Sequence, residues 1–180
     1  MAGASPRRYA QVAFSLALEN EGVERWETDL KRVRTVLSDH DVVALLSAPQ
    51  VPEQVKLNGV ATLLPDVAPL VRNMVNVIVL RGDIDKFNQV TESFQGLADD
   101  HRGIARAEVV TAVPLDEARK KRVADGLASL VNRKQVVLTE TQDPAILGGV
   151  IARVGDRLID GSTRTRLHRL KNELVEGRVR

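Results

Sequence analysis

The groups able to do chemistry in this chain are few and scattered. Three histidines occur, His40, His101 and His168. No two stand at helical ligand spacing and no carboxylate cluster joins them, so a metal centre is not expected. There is no cysteine. That removes disulfides, thiolate nucleophiles and cysteine-held zinc or iron–sulfur centres, and fits a reducing compartment. Ser162 has no local base and reads as a helix cap. No G-x-x-x-x-G-K-[ST] loop is present. Gly148-Gly149 follows Asp143-Pro144 and precedes a β-rich run. A phosphate cradle would need a helix start there, so the pair reads as a bulge or tight turn with positive φ. Arg164, Arg166, Arg169 and Lys171 could meet phosphate. They share a helix with Leu167, Leu170 and Leu174, so part of it must face a core or a partner, and a solvated charged face is the default. No catalytic residue, cofactor or metal is expected.

Composition narrows the class further. The 180 residues allow one domain or two small ones at ~150 residues per domain. Hydrophobic residues make up 43% and charged residues 28%, an ordinary globular mixture. The longest uncharged run, Val42 to Pro52, has 11 residues and two prolines. That is far short of the ~20 apolar residues of a membrane span. Met1 to Arg8 is short and polar, without the apolar region of a signal peptide. The net charge of +2 divides into −3 over residues 1–103 and +5 over 104–180, which suggests two parts facing different partners. All five aromatic residues, Tyr9, Phe14, Trp26, Phe87 and Phe94, precede residue 95. The basic half thus lacks a base-stacking platform, which weakens the alternative of a nucleic-acid adaptor.

The elements that must position these residues fall into two sets. Ser5-Pro6 starts a helix, with proline at its first position. Tyr9, Val12, Ala13 and Leu16 form one apolar stripe on it, and Ala10, Phe14, Ala17 and Leu18 another. That is wider than one buried face requires, so the helix is either central or offers a second face to a partner. Val23, Trp26, Leu30, Val33 and Leu37 give a second helix. Val42, Val43, Leu45 and Leu46 give a third. A fourth opens at Pro52, carries Val55, Val60, Leu63 and Leu64, and closes at Pro65. The fifth runs from about Val67 to Leu80, with Gly82 as a left-handed cap. Asp83 is placed to cap the sixth, whose face is Ile84, Phe87, Val90, Phe94 and Leu97. Short connections imply a six-helix bundle over residues 1–103. Asp99, Asp100, His101, Arg102 and Gly103 read as a polar stop and linker.

Residues 104–180 change period. Ala105, Ala107, Val109, Thr111 and Val113 share one face of a strand, with Arg106 and Glu108 on the other. Leu115 to Asn132 is helical, with Val123, Leu127, Leu130 and Val131 inward and the basic run 119–122 outward. Val136 to Thr141 is a strand. Val150 to Val154 and Arg157 to Ile159 flank Gly155-Asp156, a two-residue hairpin turn. Ser162 to about Val175 is a last helix. The fold class expected is therefore α+β in two domains, the second a small α/β unit of three or four strands and two helices.

Residues 143–170 read DPAILGGVIARVGDRLIDGSTRTRLHRL. This run closely resembles the C-terminal signature of the delta subunit of F-type ATP synthases, the oligomycin-sensitivity-conferring protein family. Asp143-Pro144, Gly148-Gly149, Val154-Gly155-Asp156, Asp160-Gly161-Ser162 and Arg166-Leu167 are in register. Tyr9-Ala10 with Phe14, Leu46-Ser47 with Pro49, and Val109-Thr111-Ala112-Val113-Pro114-Leu115 agree upstream. The resemblance spans about Tyr9 to Leu170, and departs mildly at Asp99-Asp100-His101.

The resemblance implies a non-catalytic stator subunit, one copy per complex, peripheral at the cytoplasmic face of a bacterial cell membrane. In that family the helical domain binds the N-terminal segments of the alpha subunits of the catalytic head, through a groove between the first and fifth helices. Carried onto this chain, Tyr9, Val12, Ala13, Leu16, Asn73 and Val77 would line it. The second domain would hold peripheral-stalk subunit b, with Arg164, Arg166, Leu167, Arg169 and Leu170 at the contact. Gly148, Gly149, Gly155 and Asp156 would serve as structural turns. The nucleic-acid adaptor, and a small hydrolase or transferase, are the other classes.

Overall fold

The computed structural model describes residues 5–20 and 22–175, so the first residues of the short polar start lie outside it. The fold is α+β, with eight α-helices and a four-stranded sheet among the described residues. The chain divides into two compact units, Met1–Ala98 and Asp99–Arg180.

The first unit holds α1 (Pro6–Glu19), α2 (Val23–Val36), α3 (His40–Ser47), α4 (Glu53–Leu63), α5 (Pro69–Leu80) and most of α6 (Phe87–Arg102). The starts follow from local chemistry. Pro6 and Pro69 sit in the first turns of α1 and α5, where a missing N–H costs nothing. The Asp39 carboxylate accepts the Asp41 N–H at 2.9 Å and caps α3. α5 begins after Ala68, which cannot cap. Asp29, buried on α2, accepts the Ala68 N–H at 2.9 Å instead. Gly82 closes α5 at φ +70°, and the Asp83 N–H reaches back to the Ile78 carbonyl at 3.0 Å. Asp83 itself does not cap the sixth helix. A 3₁₀ turn, Ile84–Lys86, precedes α6, and the buried Asp83 carboxylate is held by Tyr9 and Lys86.

The core of this unit gathers Leu30, Val33, Val71, Val75, Ile78, Phe87, Val90 and Phe94. α1 contributes small residues to it: Ala10, Ala13 and Ala17 are buried. Of the four apolar residues read into the fourth helix, Val60 and Leu64 are buried, whereas Val55 and Leu63 are exposed.

The second unit is a mixed sheet. It is built from β1 (Ile104–Thr111), α7 (Glu117–Val131), β2 (Gln135–Gln142), β3 (Val150–Val154), β4 (Arg157–Asp160) and α8 (Thr163–Val175). The strand order is β2-β1-β3-β4. β1 pairs in parallel with β2 and antiparallel with β3, and β3 with β4. Ala107 and Val109 alternate inward against Leu127, Val136 and Ala152. Val113, expected on the face of the first strand, lies beyond β1 and is exposed, and Leu130 on α7, expected inward, is exposed as well. Gly155 takes φ +56° in the β3–β4 turn.

The stretch read as a linker is helical. α6 continues through Arg102, and only Gly103, at φ +71°, leaves the helix before β1. Asp99 and Asp100 are acidic because they pair, not because they sit in a loop. Asp99 holds Arg106 at 2.5 Å and Asp100 holds Arg133 at 2.8 Å. The boundary between the units accordingly falls within α6, five residues before the expected one.

Candidate functional site

Among the described residues each unit presents an open feature.

The first is a cleft of about 390 Å³ beside α1 and α5. Tyr9, Val12, Ala13 and Leu16 line it from α1, and Asn73 and Val77 from α5. All six residues carried over from the resemblance thus border one cavity. Sequence reasoning missed Arg8, Trp26, Leu70, Met74 and Arg81, which line it too. For α5 a signal existed: Leu70, Asn73, Met74, Val77 and Arg81 are spaced three, four, seven and eleven from the first, one helical face.

On α1 the small residues Ala10, Ala13 and Ala17 turn inward. Ala13 is buried, while Val12 on the neighbouring position is 63% exposed, and Val77 across the cleft is 45% exposed. Full burial of a valine or leucine side chain is worth ~1.5–3 kcal/mol, so such walls favour an apolar occupant. Trp26 stacks at 6.0 Å on Phe94, which meets Phe14 edge-on at 5.8 Å. The cleft is therefore backed by an aromatic cluster of the core.

At one end the Tyr9 hydroxyl donates to Asp83 Oδ2 at 3.1 Å, and Lys86 Nζ donates to Asp83 Oδ1 at 2.5 Å. Lys86 holds the Asp83 carboxyl below its usual range. Burial, and then the Asp83 charge, raise the Tyr9 phenol. Asp83 in turn raises Lys86.

The second open feature is α8. No residue from 163 to 174 is buried. Leu167, Leu170 and Leu174, one stripe of the helix, are 52–62% exposed. Of the core or partner that this helix was expected to face, the core of its own unit takes none of the three leucines. Arg164, Arg166 and Arg169 are exposed beside them.

What fixes α8 is its root. Asp160 accepts the Ser162 N–H at 2.9 Å and the Thr165 hydroxyl at 2.7 Å. The Ser162 N–H is the main cause holding the Asp160 carboxyl low, followed by Thr165. The buried Ser162 Oγ accepts the Thr165 N–H at 3.2 Å, a helix cap. Gly148 and Gly149 complete the junction at φ +154° and +79°. The Thr163 N–H donates to the Gly148 carbonyl, and the Gly161 N–H to the Val150 carbonyl, each at 2.9 Å. A Cβ on Gly149 would run into the Gly161 carbonyl and lie 3.0 Å from Ser162 Cα. Two glycine-rich motifs far apart in the signature thus meet in one place.

Elsewhere in this unit Glu140 is the polar hub. It accepts the Leu115 N–H at 2.9 Å and the Thr111 hydroxyl at 3.2 Å, and faces Lys120 at 3.5 Å. The Leu115 N–H is the main cause keeping its carboxyl low. This arrangement secures the turn before α7 and brings no nucleophile with it. Among the described residues no group of three or more His, Asp or Glu is placed to hold a metal ion. Nor is any described helix long and apolar enough to cross a membrane.

Comparison with known proteins gives consistent matches. The family model described as "ATP synthase delta (OSCP) subunit" matches residues 6–174. A protein named ATP synthase subunit delta from Dehalococcoides mccartyi is 34% identical over 172 residues, covering 96% of this chain and 94% of that one. Its namesake from Anaeromyxobacter dehalogenans is 36% identical over 178 residues, covering 97% and 98%. A chain in the cryo-EM structure of the Toxoplasma gondii mitochondrial ATP synthase hexamer shares the fold, with a TM-score of 0.69 at 22% identity, over 96% of this chain and 98% of that chain.

Proposed function

Because the chain belongs to the ATP synthase delta (OSCP) subunit family, we propose that its two open surfaces are the two ends of a clamp. A delta subunit is a non-catalytic stator component of the peripheral stalk. The first unit, a bundle of six helices, binds the N-terminal helix of an alpha subunit in the α1/α5 groove. The second unit binds subunit b through α8. Together they hold the catalytic head against rotation, peripherally at the cytoplasmic face of a bacterial cell membrane.

The observation that carries this reading is the α1/α5 groove, an open cleft with apolar walls beside the core of the first unit. Seating an amphipathic helix in such a groove needs surface already in position and no chemistry. A stator must hold for many turnovers, and two sites on one chain make the second contact intramolecular, which raises the overall avidity. The exposed leucine stripe of α8 supports the second contact in the same way.

The test is a titration of the full chain with a synthetic peptide of the alpha-subunit N-terminal helix from the same organism. Trp26 is the sole tryptophan and lines the groove, so its fluorescence reports occupancy. A saturable change that Val77→Asp abolishes supports the reading, and an unchanged response in that variant contradicts it.

A further inference from the structure

The groove is apolar along its length but charged at one end. Arg8 lies in the first turn of α1 and Arg81 closes α5, and both line the cleft with exposed side chains. The Tyr9–Asp83 hydrogen bond puts the start of α1 beside the end of α5. The two arginines therefore share an end, while Leu16, Leu70 and Asn73 mark the other. Among the described residues no acidic side chain lines the cleft. Asp83, two residues beyond Arg81, is 4% exposed and already engaged by Tyr9 and Lys86.

Apolar burial alone does not tell a helix which way to lie. An occupant running in either direction buries a comparable stripe. From Leu70 to Arg81 the wall spans ~17 Å at 1.5 Å per residue, which fits an occupant of about three turns. Two cations at one end remove the degeneracy, because charges at a rim set orientation and reject the wrong arrangement.

Resting on the stator reading, we propose that the helix seated in the α1/α5 groove carries an acidic side chain that meets Arg8 and Arg81. This pairing fixes the direction in which the helix runs. A helix laid the other way would put its acidic group at the Leu70–Asn73 end, against apolar walls, and bring no carboxylate to the end where Arg8 and Arg81 lie.

The experiment titrates the full chain with the same alpha-subunit peptide at about 0.01 M and about 1 M salt, where the Debye length is ~30 Å and ~3 Å. Wild type is compared with Arg8→Gln/Arg81→Gln and with Val77→Asp. The double variant should bind about tenfold more weakly at low salt and converge on wild type at high salt. Changing the acidic residues of the peptide singly to glutamine should identify one whose loss reproduces that effect and is silent in the double variant. Equal affinity and equal salt slope in wild type and double variant, with Val77→Asp unable to bind, would overturn the proposal and leave the groove as the site. Undiminished binding by Val77→Asp would overturn both.

Discussion

The hydroxyl of Tyr9 on α1 donates to the carboxylate of Asp83, 74 positions later, at 3.1 Å. The bond joins the start of α1 to the end of α5 and so sets one end of the groove. It also ties stability to pH. The Asp83 carboxyl is depressed, so its contribution is present above the unfolded carboxylate range and is lost as pH falls through the lower folded value. Tyr9 and Lys86 are raised, so theirs is present below their unfolded values and lost as pH rises through the higher folded ones. Urea unfolding of Tyr9→Phe should show a loss of about 1.5–3 kcal/mol at neutral pH, the size of a hydrogen bond to a charged group. The alkaline fall-off should be smaller in the variant. A stability profile superimposable on wild type would show that the bond does not form in solution.

Val77 and Val79 are two positions apart on α5 and should separate binding from folding. Val79 is 1% exposed, so Val79→Ala should lower stability by about 1–3 kcal/mol through lost burial and a residual cavity. Val77→Asp should melt within about 1 kcal/mol of wild type yet lose affinity for the alpha-subunit peptide at least a hundredfold, since an unpaired charge would be buried in the complex. Denaturation and titration of both variants check this.

Substitution at Gly149 should act on one unit only. Valine there meets both an unfavourable φ of +79° and the Gly161 backbone. Gly149→Val should destabilise the second unit by about 2–4 kcal/mol. Hydrogen exchange should show protection lost in β3, β4 and the root of α8, with the α1–α5 amides unaffected. Retained protection in β3 would contradict the close approach of residues 149 and 161.

The exposure of α8 makes both its leucines and its arginines clean probes. Leu167→Ser should leave the melting temperature nearly unchanged, because that side chain is in water. It should weaken binding of a C-terminal peptide of subunit b. Arg164→Glu/Arg166→Glu should weaken the same binding and flatten its salt dependence, with little effect on stability. A large fall in melting temperature for Leu167→Ser would mean that the helix packs on its own sheet.

Much of the architecture is legible in the sequence because it rests on local signals. Pro6 and Gly82 mark helix ends, and the spacing from Val23 to Leu37 marks α2. Gly155-Asp156 marks the hairpin. What misleads is periodicity without a partner. Leu167, Leu170 and Leu174 repeat as a core face does, and a face awaiting another protein has the same repeat. Leu130 and Val113 mislead in the same way. Polarity misleads as well. Asp99 and Asp100 look like loop residues until Arg106 and Arg133 are placed beside them. Asp83 looks like a cap because its neighbours allow it, and Tyr9 takes it instead. The groove lining from α1 came from the family resemblance, and the width of the helix's apolar surface agrees with it. Leu70 and Met74 share the helical face of Asn73 and Val77, a signal that went unread, and Trp26 was absorbed into the pattern of its own helix.

If one chain holds two partners at two separate surfaces, mixing the purified catalytic head, this chain and the soluble part of subunit b should give a ternary assembly with one copy of this chain, read from the mass of the complexes formed. Val77→Asp should release the head but keep subunit b, and Arg164→Glu/Arg166→Glu with Leu167→Ser should do the reverse. Competition between head and subunit b for the chain, or loss of both partners from either variant, would contradict it.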